Sequence, residues 1–110
     1  MTVERRERIR ALNDQLRRFH IGGRVMITRG VLAEGETFLT TSLLMIAAFS
    51  DFSEANDPYG EHDFGALTVG RERLFWKIDY YDQSLTSAAV DPAQPDGCVR
   101  VLTVMKAEEY

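Results

Sequence analysis

Apolar positions in the first twenty residues recur at helical spacing. Ile9, Leu12, Leu16 and Phe19 fall on one narrow face, with arginines and acids around it. The pattern predicts an amphipathic helix over residues 3–20, with His20 packed near the apolar face. Gly22-Gly23 is expected to end it, because glycine accepts the left-handed geometry of a helix C-terminus. Arg24 to Thr28 (RVMIT) is rich in β-branched residues and predicts a short strand. Val31 to Glu36 reads as a loop. Over residues 37–50 the helical spacing returns, with Leu39, Leu43, Ile46 and Phe49 on one face. Leu44, Met45 and Ala47-Ala48 widen that face, so this helix is expected to be well buried, with Met45 as core filler.

The period then changes from helical to alternating. Asp57-Pro58-Tyr59-Gly60 has the residue order of a type I turn. Phe64 to Val69 reads as a strand, Gly70-Arg71 as a two-residue hairpin turn, and Glu72 to Asp82 as the partner strand. Alternation directs Leu74, Trp76, Ile78 and Tyr80 to a core. It directs Phe75, Lys77, Asp79 and Tyr81 to a partly wet face. Gln83 to Gly97 is a long polar loop. Val99 to Met105 is apolar on both sides, as a central strand would be. The order α-β-α-β-β-β predicts one α+β domain over residues 1–110: an antiparallel sheet of about four strands with two helices packed on one face.

Composition narrows the class. The chain has 110 residues, 45 % of them hydrophobic and 27 % charged, which places it among ordinary globular domains. The longest apolar run, Leu43 to Phe49, is too short for a membrane span, and the charged N-terminus does not resemble a secretory signal. Cys98 is the sole cysteine, which excludes an intrachain disulfide and a cysteine-built zinc site and fits a reducing cytoplasm. The net charge of -4 conceals an asymmetry. Residues 1–24 carry seven arginines against three acids, and residues 25–110 carry six basic groups against fourteen acids. Two such halves attract each other or attract different partners.

Polar chemistry is densest in Asn56-Asp57-Pro58-Tyr59-Gly60-Glu61-His62-Asp63-Phe64-Gly65. His62 is the candidate acid–base group, with Asp63 or Glu61 as its orienting carboxylate. The bland alternative is a loop histidine that bonds backbone groups. Asp57, Glu61, His62 and Asp63, with Asp79 or Asp82, offer hard ligands for a divalent metal, although no established metal spacing is matched. No GxSxG, Walker lysine or GxGxxG is present, so no nucleophile or nucleotide cofactor is predicted, and no cofactor is expected. Arg6, Arg10 and Arg17 share one flank of the first helix. They form either a solvated face or a stripe for nucleic acid phosphates.

The segments NDPYGEHDFG, FWKIDYYD and LTVMKAEEY, with ALNDQLRR and GGRVMITRG before them, resemble a family of small bacterial proteins described only as a domain of unknown function. The resemblance covers nearly the whole chain and implies no activity. It implies carriage on plasmids and integrative elements, beside anti-restriction and DNA-handling genes. Glu34 to Leu44 departs from the family in being richer in threonine and poorer in charge. The function expected from residues and resemblance together is a non-catalytic, cytoplasmic protein-interaction module. It would act through Tyr59, Glu61, His62, Phe75, Asp79, Tyr81 and Asp82 as an acidic and aromatic surface, in the manner of a counter-defence inhibitor of a DNA-binding enzyme. A His62-centred enzyme or metal protein and an arginine-stripe nucleic-acid binder are the alternatives.

Overall fold

The computed structural model describes residues 2–110. The first helix, α1 (Val3–Phe19), starts where the Thr2 side chain accepts a hydrogen bond from Arg5 N. It ends earlier than the glycine pair suggests. His20 takes the left-handed conformation (φ 57°) and donates its N–H to Leu16 O, with its side chain exposed. Gly23 serves a different need. A Cβ there would come within 2.6 Å of the Arg100 carbonyl oxygen, so glycine lets the chain pass close to the last strand. The buried face of α1 consists of Ile9, Asn13, Leu16 and Arg17, while Phe19 is 63 % exposed.

A short strand, β1 (Arg24–Ile27), leads into a four-residue helix, α2 (Arg29–Leu32), where the sequence predicts a loop. Its reason is Val31, which is fully buried in the core. The next helix, α3 (Glu36–Ala47), occupies most of the predicted span. Ile46 is buried, and Leu39, Leu43 and Phe49 pack beside it. Leu44 and Met45 are exposed, at 67 % and 40 %, so this helix is half-covered and Met45 is not core filler. Fully burying a side chain of that size is worth about 1.5–3 kcal/mol, which Leu44 and Met45 do not contribute.

The hairpin is as the alternation predicts. β2 (Phe64–Val69) and β3 (Glu72–Tyr81) pair antiparallel around Gly70-Arg71, with Val69 opposite Glu72. Gly70 at φ 60°, followed by Arg71 at negative φ, is the glycine-first hairpin turn. The last strand, β4 (Val99–Lys106), lies centrally between β3 and β1, giving the order β1-β4-β3-β2. The sheet is mixed rather than wholly antiparallel, because β1 runs parallel to β4, with Arg24 beside Val101 and Ile27 beside Val104. A parallel neighbour requires a long crossover, and residues 28–98 separate these two strands.

One face of the sheet carries Leu67, Val69, Leu74, Trp76, Ile78, Leu102 and Val104, packed against Leu16, Val31 and Ile46 from the helices. On this face Gly65 lies under the Trp76 indole, and a Cβ at that position would overlap the ring. No helix is long and apolar enough to cross a membrane among the described residues.

Candidate functional site

The turn predicted at Asp57 to Gly60 forms, with Gly60 N donating to Asp57 O. The Asp57 carboxylate then accepts from the backbone N–H of Glu61 and of His62, at 2.9 and 3.1 Å. Those bonds hold His62 in the left-handed region (φ 56°), an unfavourable conformation for a non-glycine residue. The loop is clamped onto α1 by residues one helical turn apart. Arg10 Nε donates to Gly60 O at 2.7 Å, and Asn13 Nδ2 donates to Glu61 O at 3.0 Å. Asp14 Oδ1 lies 2.9 Å from His62 Nδ1.

Two polar networks radiate from this clamp. In the first, the buried Arg17 guanidinium donates to the carbonyls of Ile46, Ala47 and Phe49 and so caps the C-terminal end of α3. It also pairs with Asp14 at 2.9 Å and lies over the rings of Phe52 and Trp76. Phe52 stacks flat on His62, with ring centroids 3.7 Å apart and planes within 4°. His62 Nε2 faces the buried Asp57 carboxylate at 3.9 Å. Both ring nitrogens therefore face carboxylates and one ring face rests on phenylalanine, which makes His62 a clip between loop and helix. Beside it lies a cavity of about 500 Å3, whose walls include Asp14, Arg18, Phe49, Ser50 and His62.

In the second network, the Tyr80 hydroxyl accepts from Asn13 Nδ2 and donates to Glu61 Oε1, at 2.7 and 2.8 Å. Burial pushes that phenol well above its usual range. Asn13 Oδ1 accepts from Arg100 Nε, and Arg100 further donates to Pro92 O and to the Cys98 sulfur. Arg100 is fully buried and forms no ion pair among the described residues, so desolvation draws its pKa down. The same burial raises the Cys98 thiol, which acts as a small core residue rather than a nucleophile. Asp63 is pushed up to about 6, by burial first and then by the charges of Glu61 and Asp57.

The other face of the sheet is covered by no helix. Phe75, Lys77, Asp79 and Tyr81 project there, as alternation requires, beside Phe64, Ala66 and Thr68 of β2 and Arg24 and Met26 of β1. Tyr110 closes an aromatic trio with Phe64 and Phe75, with its ring centroid 6.5 and 5.4 Å from theirs. Lys77 pairs with Asp79 at 3.0 Å, and Arg73 bonds Thr68. This face is aromatic and on balance basic, not acidic.

The residues singled out in the sequence thus divide. Phe75, Asp79 and Tyr81 share the open face. Glu61 and His62 belong to the clamp behind the sheet, and Tyr59 is exposed at the loop tip. Asp82 is a turn former, accepting from Ser84 Oγ and the N–H of Thr86. Asp57, Glu61, His62 and Asp63 do not converge on a common point, and no group of three or more such residues is arranged to hold a metal among the described residues. The arginine stripe is not a free phosphate-binding surface, because Arg17 is buried and Arg6 and Arg10 pack on the loop at Gly60. Asn13, Asp14, Phe52, Tyr80 and Arg100 were not legible as site residues. The one local signal was a polar trio, Asn13, Asp14 and Arg17, set into a helix otherwise read by its apolar positions.

Comparison with known families gives one result. A family model described as Protein of unknown function (DUF3768) matches residues 27–109. That stretch holds NDPYGEHDFG and FWKIDYYD whole, whereas ALNDQLRR and most of GGRVMITRG precede it. Neither the curated proteins nor the solved structures contain a match.

Proposed function

The chain belongs to this family of unknown function, and since the family's description assigns no activity, we propose from the geometry that the protein is a non-catalytic module that binds another protein through the open face of its sheet. The observation that carries the reading is the one-sided sheet. Helices cover one face, while Phe64, Phe75, Tyr81 and Tyr110 stand on the other around a Lys77–Asp79 pair. Aromatic and arginine side chains are enriched where proteins meet, and Arg24 and Arg73 lie on the same face. His62 supports the reading by its confinement, since both its nitrogens are directed at carboxylates of the protein itself.

The partner we propose is a DNA-handling enzyme or defence complex of a bacterial host, and for this the support is the resemblance to proteins of mobile elements. The charge on the face favours contact with a protein rather than imitation of DNA. Cytoplasmic residence belongs to the same proposal, with the buried, unpaired Cys98 as its support.

The test is affinity capture from a bacterial lysate with three baits: wild type, a Phe75→Ala/Asp79→Lys face variant, and a Leu44→Lys control on the helical side. One stoichiometric protein held by wild type and control but lost by the face variant is the expected result. Retention by the face variant, or capture of nothing specific by wild type, removes the proposal.

A further inference from the structure

The outer edge of β2 is unguarded. The strand reads Phe64-Gly65-Ala66-Leu67-Thr68-Val69, with no charge and no proline, and its register with β3 runs unbroken, so it has no bulge. Edge strands are normally blunted by one of those devices, because their free backbone groups template further pairing. The opposite edge, β1, is only four residues long and includes Arg24.

The phase of the edge is fixed. Ile78 N donates to Asp63 O, so residues 63, 65, 67 and 69 bond inward to β3. Phe64, Ala66 and Thr68 therefore direct their N–H and C=O groups outward.

We propose that this edge pairs with the same edge of a second copy, antiparallel about a twofold axis at Ala66. In that register Ala66 faces Ala66 of the second copy, and Phe64 faces Thr68 of the second copy. Every outward N–H then meets an outward C=O, and the two sheets become continuous.

Charge selects a second copy over an unrelated strand. The chain enters β2 through Asp63 and leaves it through Arg71 and Arg73, while Glu61 is held by Tyr80 and Glu72 lies near Lys106. An antiparallel mate sets the acidic end of each copy beside the basic hairpin of the other. Asp63 forms no ion pair within its own chain among the described residues, and Arg71 forms none either. Ala66 at the axis carries only a methyl group and leaves room for close approach.

The test is sedimentation analysis of the purified chain over a wide concentration range, with two edge variants. Ala66→Pro deletes one outward N–H and leaves the inward ladder to β3 intact. Thr68→Lys places a charge on the edge. Circular dichroism reports the fold of each. The expected result is a wild-type dimer whose association weakens about tenfold or more in the variants. If Ala66→Pro does not fold, Thr68→Lys decides. A wild-type chain that stays monomeric throughout overturns the assignment and leaves the edge to an extended segment of another protein. A dimer unmoved by the edge variants also overturns it. Neither outcome bears on capture through Phe75 and Asp79, which is read separately.

Discussion

Asp63 is a carboxylate placed among carboxylates. Its pKa stands at about 6 rather than 3.8, because burial and the neighbouring Glu61 and Asp57 all disfavour its charge. The sign follows from linkage. The folded protein holds this proton where the unfolded chain has lost it, so stability falls as pH rises from about 4 to about 6, and the deficit is constant above that. Asp63→Asn should therefore raise stability by about 1 kcal/mol at neutral pH, after discounting for the solvent that still reaches the group, and by nearly nothing at about pH 4. Urea unfolding at the two pH values measures it. An equal gain at both would assign the effect to something other than charge.

At the scale of elements, the hairpin depends on one missing side chain. Trp76 is fully buried and lies where a Cβ on Gly65 would be. Gly65→Ala should push the indole off its site and cost about 1–3 kcal/mol, typical of overpacking, seen as a lower denaturant midpoint and a changed Trp76 fluorescence. The alternation that places Trp76 inward was legible from sequence, as was the turn at Gly70-Arg71, because both are local properties of adjacent residues. The clamp was not. Asn13 and Arg17 are buried because Arg100, Tyr80 and the end of α3 satisfy them from dozens of residues away, and helical spacing alone marks such positions as solvent-facing. The same blindness reversed Phe19 and Met45, whose apolar character predicted burial that the fold does not give them. The parallel pairing of β1 likewise depends on which strand it reaches, not on its own four residues.

At the scale of the whole molecule, the early arginines are engaged in part by the later chain. Arg5 pairs with Asp91, while Arg10 and Arg17 donate to the carbonyls of Gly60 and of the end of α3. The family match begins at residue 27, yet α1 supplies Ile9 and Leu16 to the core and Asn13 to Arg100. A chain shortened to residues 22–110 should leave Arg100 and the Trp76 face without cover. It should show no cooperative unfolding by circular dichroism or tryptophan fluorescence. A sharp transition in that shortened chain would show α1 to be an accessory.

The parallel contact between β1 and β4 also sets an order of events during synthesis. Arg24 to Ile27 are made long before the strand they lie against. In α1 only the Asn13–Arg100 bond waits as well, since the other polar partners of that helix later in the chain lie between residues 46 and 91. Until residues 99–106 leave the ribosome, β1 has no strand to lie against, while the β2–β3 hairpin can close on its own. An early strand is thus completed by a late one, and a nascent chain halted before β4 would present the bare apolar side of its sheet to whatever chaperone meets it.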